Sequence, residues 1–161
     1  MKKITQYIFI LSLALLYSCQ EADDYKLHTA FFDVALNSPA DKLDVDLGKI
    51  ESADFTFEWS TPTEEDCVLI ISTSEAFSNL NAINSRIIEV NKEQSHAIKL
   101  PALDYVAASL GVESGGEKEL FWTIKPKSDL RIASADIRSF VIKRAKSALI
   151  LPKDLSKETI I

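Results

Sequence analysis

The sequence predicts an all-β chain: short strands in a two-layer antiparallel sandwich with one short helix, preceded by an export signal. Three observations carry this. Apolar residues alternate with period two through most segments after residue 30, and turn-forming clusters recur every eight to twelve residues. The period switches to that of a helix once, after Pro101.

The first element is a leader. Lys2 and Lys3 form a positive start, and Ile8 to Leu16 is an apolar run of the length found in secretory signals. Nine apolar-or-Ser residues fall short of the ~20 that a membrane-spanning helix needs. Leu16-Tyr17-Ser18-Cys19 follows, with a small residue directly before a cysteine where the run stops. This resembles the lipobox of bacterial lipoproteins, which implies cleavage of residues 1–18 and acylation of Cys19. Tyr17 is bulkier than the usual residue there. Each buried CH₂ contributes ~0.8 kcal/mol, so several acyl chains hold a protein stably on a bilayer. Residues 19–30 are expected to form an acidic flexible tether. Its Gln20-Glu21-Ala22-Asp23-Asp24 reads either as a solvated spacer or as the acidic signal that directs Bacteroidota-type lipoproteins to the outer face of the outer membrane.

The body, residues 31–145, follows. Phe32/Val34/Leu36 form one face of a strand, ended by Asn37-Ser38-Pro39-Ala40. Leu43/Val45/Leu47 form another, with Asp44 and Asp46 opposite and Gly48 as the stop. Phe55-Thr56-Phe57-Glu58-Trp59 places three aromatics on one side. Cys67 to Ser72 is continuously apolar up to its final Ser, the pattern of a central strand covered on both faces or of an interface strand. Glu75 to Asn84 reads as irregular, and Arg86–Val90 and His96–Leu100 as two shorter strands. Leu103, Val106, Ala107 and Leu110 then share one helical face. Pro101 suits the first turn, and Gly111 sits where a helix ends in left-handed conformation, with Val112 placed to pack back. Leu120/Trp122/Ile124 and Phe140–Ile142 return to strand. About eight strands and one helix fit an immunoglobulin- or fibronectin-III-like sandwich. No βαβ alternation occurs, so a parallel sheet is not expected. Residues 146–161 form a tail in which Ala148-Leu149-Ile150-Leu151-Pro152 is either a further edge strand or a segment that binds a partner by strand addition.

Length and composition are consistent with this. The chain has 161 residues, enough for one domain, and 47 % of them are hydrophobic, too many for disorder. The formal charge of −6 with no basic run excludes the nucleic-acid binders, which must neutralise phosphates. Loss of the leader removes Lys2 and Lys3, leaving 143 residues at −8. Once Cys19 is acylated, Cys67 has no partner and reads as an inert buried thiol.

Taken in order, Leu36-Asn37-Ser38-Pro39-Ala40, Phe55-Thr56-Phe57-Glu58-Trp59, Ser74-Glu75-Ala76-Phe77-Ser78-Asn79, the Leu103–Gly111 helix and Leu120-Phe121-Trp122-Thr123-Ile124 resemble the N-terminal domain of SusE-like outer-membrane lipoproteins. The resemblance spans nearly all of residues 34–144. It implies a surface-exposed lipoprotein of a polysaccharide-utilization system, working beside a TonB-dependent transporter and its partner lipoprotein in glycan uptake. Full-length members carry their glycan sites in further β-domains downstream, whereas this sequence runs only to Ile161. The resemblance therefore implies a docking or spacer role for this domain.

Chemistry-bearing residues are few. No nucleophile elbow, phosphate-binding loop or zinc motif is present, so no catalytic residue, metal ligand or cofactor is assigned. Trp59 and Trp122 are candidate sugar platforms, but each lies on the apolar face of its strand and reads first as core. Phe31, Tyr25 and Tyr105 are less patterned. Glu64-Glu65-Asp66 lacks the spaced ligands of a calcium loop and reads as an acidic turn. His28 and His96 stand alone. The expected function is that of a non-enzymatic accessory subunit. The alternative is a direct carbohydrate-binding module using exposed aromatic residues.

Overall fold

A computed structural model describes residues 31–49, 54–77 and 79–146. Their elements are β1 (Phe31–Phe32), β2 (Ala35–Ser38), β3 (Leu43–Asp46), β4 (Asp54–Ser60), β5 (Cys67–Ser72), β6 (Ser85–Asn91), β7 (Ser95–Lys99), α1 (Leu100–Ser109), β8 (Glu117–Pro126), β9 (Ala133–Ser134) and β10 (Arg138–Lys143). The leader, Cys19, the acidic tether with Tyr25 and His28, and the tail segment Ala148–Pro152 lie outside the described residues.

The strands form a five-stranded sheet in the order β3-β10-β8-β5-β6, a three-stranded sheet β2-β4-β7, and a short pair β1-β9. The two larger sheets share one core, a mostly β architecture consistent with a β-sandwich. Leu36, Phe57, Trp59 and Ile98 from the small sheet meet Leu69, Ile71, Trp122 and Phe140 from the large one. At the centre, Phe57 stands edge-on to Phe55, with ring centroids 5.2 Å apart, and to Trp122, at 4.9 Å. Edge-to-face rings pair positive edge with negative face, so the arrangement adds orientation to the burial that drives it.

The alternating segments occupy the faces that period two assigns them. Phe32, Val34 and Leu36 are buried, as are Leu120, Trp122 and Ile124. Every residue of β5 is buried because it lies between β6 and β8 and is covered on both faces. Its inner face joins the main core. Outside, Val68 and Ile70 are covered by Phe77 from the irregular Thr73–Asn84 turn, with Leu80 and Leu130 alongside.

The helix ends as its sequence dictates. Gly111 has φ +80°, a conformation open to glycine because it has no Cβ. Its N–H donates to the Ala108 carbonyl at 3.0 Å, and the Val112 N–H donates to the Ala107 carbonyl at 3.0 Å. These two bonds are the paired closure of a Schellman cap, and buried Val112 packs behind it.

Several expectations are corrected. Leu43 is exposed, whereas Val45 and Leu47 are buried. Leu100 opens the helix instead of closing β7. Ten strands are present among the described residues, two of them only two residues long and therefore without a readable period. Two pairings are parallel, β3 with β10 and β1 with β9. β2 is antiparallel to β4 in the small sheet, after which the chain crosses at Pro39 and Lys42 to the free side of β10. A parallel pair needs a long connection. Nearly the whole body serves as that connection between β3 and β10, so no β-helix-β unit is required.

Candidate functional site

The residues singled out from the sequence do not converge. Trp59 and Trp122 are 2 % and 0 % exposed, on opposite sheets of the core, and neither can serve as a sugar platform. Both indole N–H groups are buried with no hydrogen-bond partner among the described residues, an arrangement that costs about 1–3 kcal/mol each against the large apolar burial of the ring. Of the aromatics on the surface, Phe31 is 64 % exposed at the start of β1 and Tyr105 is 48 % exposed on α1. His96 is half-buried in β7, in register with Phe57. Glu64-Glu65-Asp66 occupies the exposed loop between β4 and β5, where the Ser128 hydroxyl lies 3.3 Å from Glu65 Oε2. Among the described residues, no three His, Cys, Asp or Glu side chains come together in an arrangement able to hold a metal ion.

Cys67 is buried, and its Sγ donates to the Glu65 carbonyl at 3.4 Å. Burial pushes its pKa up, and the nearby charges of Glu65 and Asp66 push it further. The thiol stays protonated and unreactive near neutral pH, because the thiolate is the nucleophile.

The polar structure lies elsewhere, at the end of the sandwich where α1 finishes. Asp104 on α1 is buried, Arg144 after β10 is partly buried, and the two form a two-toothed pair, Nε to Oδ1 at 2.8 Å and Nη2 to Oδ2 at 3.0 Å. A third donor of the same guanidinium reaches the Val112 carbonyl at 2.8 Å. The carboxylate hydrogen bond raises the Arg144 pKa further above its ordinary value. One side chain thus joins the helix, its cap and the end of the last strand. Two more cations finish the helix: Arg86 donates to the Ser109 carbonyl at 2.8 Å and Lys118 to the Leu110 carbonyl at 3.1 Å. Cations placed there satisfy the free carbonyls and oppose the negative end of the helix dipole.

At the same end, the β5–β6 turn encloses a cavity of about 190 Å³ lined by Ser72, Ser74, Phe77, Asn79, Leu80 and Asn84. Its polar groups brace the turn. Ser72 Oγ accepts the Ser74 N–H at 3.0 Å, Asn84 Oδ1 accepts the Asn81 N–H at 3.0 Å, and Asn84 Nδ2 donates to the Asn79 carbonyl at 2.8 Å. Ile83, 84 % exposed, projects from the turn.

Sequence reasoning missed this polar network. A pair 40 residues apart has no local signal. The described residues define a class, a two-sheet, mostly β protein with one short helix. No helix among them is long and apolar enough to cross a membrane. The chain matches no protein-family model, and no curated protein matches it in sequence.

Proposed function

We propose that this chain is a non-enzymatic lipoprotein, acylated at Cys19 and held on the outer face of an outer membrane, where it serves as an accessory or docking subunit of a glycan-uptake system. The observation that carries the proposal is the leader, whose apolar run stops at Leu16-Tyr17-Ser18-Cys19 and leads into an acidic segment. The ordered motifs that resemble SusE-like lipoproteins extend it to a TonB-dependent transporter and its partner lipoprotein.

The arrangement of the strands supports an immunoglobulin- or fibronectin-III-like reading. In that fold two antiparallel sheets face each other, with strands C, F and G in one and A, B and E in the other. On this reading β5, β8 and β10 correspond to C, F and G, β2, β4 and β7 to A, B and E, and β3 beside β10 to a continuation of the first strand onto the second sheet. Burial of both tryptophans favours docking over direct carbohydrate binding, because it removes the two best sugar platforms.

The test is membrane isolation. The chain, expressed with its leader, is expected to incorporate labelled palmitate and, in gentle detergent, to co-purify with a transporter or its lipoprotein partner. A lipid-labelled chain that behaves as a lone monomer would remove the docking role. Retention on a glycan affinity gel would move the reading to a carbohydrate-binding module.

A further inference from the structure

We infer that the sandwich stands in line on its membrane attachment, with the pole formed by the β5–β6 turn, the loop after α1 and the end of β10 directed away from the bilayer. This rests on the reading of Cys19 as a lipid attachment point.

The strand registers place entry and exit of the chain at opposite poles. Phe31 pairs with Ala133, and the hydroxyl of the next residue, Ser134, donates to the Ile124 carbonyl at 2.8 Å. The chain therefore enters beside the C-terminal half of β8. At the other end, Lys143 pairs with Glu117, the Arg144 N–H donates to the Gly116 carbonyl at 3.0 Å, and the Ser114 hydroxyl donates to the Lys146 carbonyl at 2.9 Å. Residues 144–146 thus run beside the loop that precedes β8. Glu117 and Ile124 are seven positions apart on β8, which at ~3.3 Å per strand residue separates the two ends by about 23 Å, with the 113–116 turn beyond Glu117. The Thr73–Asn84 turn lies at the exit pole, because Ser72 pairs with Phe121 in the N-terminal half of β8. The acidic loop Glu64-Glu65-Asp66 lies at the entry pole, because Cys67 pairs with Pro126.

Attachment geometry then selects the orientation. Twelve steps of chain from Cys19 to Phe31 reach at most about 40 Å. To bring the exit pole to the bilayer, the tether would have to run back along the sandwich and spend about 23 Å of that reach on the length of β8 alone. The entry pole needs no such extension. Arg144, bonded to Asp104 and Val112, fixes the direction of the chain at the outward pole.

The experiment uses the full chain, processed and lipidated in cells, then reconstituted into phosphatidylethanolamine and phosphatidylglycerol vesicles with a headgroup-labelled acceptor lipid. A donor dye is placed by maleimide at Arg131→Cys on the entry pole or at Ile83→Cys on the exit pole, both exposed positions. Cys67 is buried with its pKa raised and stays unlabelled in a brief reaction at neutral pH. The expected result is a larger loss of donor emission at Arg131→Cys. Equal loss at the two positions, or a larger loss at Ile83→Cys, overturns the orientation while leaving the attachment intact, provided labelled palmitate is incorporated. A chain that takes up no palmitate and does not float with the vesicles overturns the attachment, and the orientation with it.

Discussion

Arg144, partly buried, and Lys125, buried, are two cations drawn out of solvent with different compensation. Arg144 has an equal and opposite partner and a carbonyl, so its burial is compensated. Removing one member of a buried pair leaves the other charge stranded, which costs about 3–5 kcal/mol. Arg144→Ala is therefore expected to lower unfolding stability by roughly 3 kcal/mol in a urea titration, with Asp104→Ala similar and the double variant well short of their sum. Additive losses would show that the pair is not coupled. Lys125 is buried with only the Leu130 carbonyl as acceptor, at 2.8 Å. Burial lowers its pKa below 10.5, against a smaller opposing pull from Asp129. The unfolded chain then holds the proton more tightly than the folded one. The penalty is full below the folded pKa and is relieved as pH rises from there towards 10.5, so stability gains with pH across that window. Lys125→Met is expected to flatten that gain in urea midpoints measured from neutral pH upward, and curves that stay parallel would refute the assignment. Neither role has a sequence signature.

At the scale of elements, what depends on neighbours in sequence was legible and what depends on pairing was not. The alternation in Phe55–Trp59 and Leu120–Ile124 reports which face is buried, since successive strand side chains point to opposite sides. The end of α1 was legible for the same reason, because its cap is made within six residues, Ala107 to Val112. The cap also gives a sharp test. A Cβ at Gly111 would have only Lys118 Nζ near it, at 3.9 Å, so crowding is not the issue and the φ of +80° is. Gly111→Ala is expected to cost about 1 kcal/mol, lowering the melting temperature by a few degrees, and Gly111→Asn is expected to cost less, since Asn tolerates that conformation. Equal losses for the two variants would argue against backbone strain as the cause. By contrast, the parallel contact of β3 with β10 joins Leu43 to Phe140, and nothing in either segment names the other. The Thr73–Asn84 turn was legible as irregular, but not as the cover that Phe77 provides for the outer face of β5.

At the scale of the whole molecule, the functional reading is divided between two parts of the chain, the described body and the lipid attachment proposed at Cys19. The described body holds its aromatic residues mainly in the core and its polar network at one pole, and both serve cohesion. The attachment chemistry is assigned to Cys19, twelve positions before the first described strand. That proposal rests on an extended local pattern in the sequence, which needs no fold to present it. The separation has a testable consequence. Cys19→Ser removes the proposed acceptor of the acyl chains, whose buried CH₂ groups each contribute ~0.8 kcal/mol to membrane binding, and changes no residue of the described body. The variant is expected to lose palmitate labelling and to move from the membrane pellet to the soluble fraction. Its urea midpoint should match that of the unmodified chain, because the core from Phe32 to Ile142 is unaltered. Cys67→Ser supplies the opposite pattern, since its thiol sits inside the core cluster: palmitate labelling and membrane fractionation unchanged, with a lower urea midpoint. If Cys19→Ser stayed in the pellet with its labelling intact, lipid attachment would have to be sought at another residue, and the docking role proposed for the sandwich would lose its membrane.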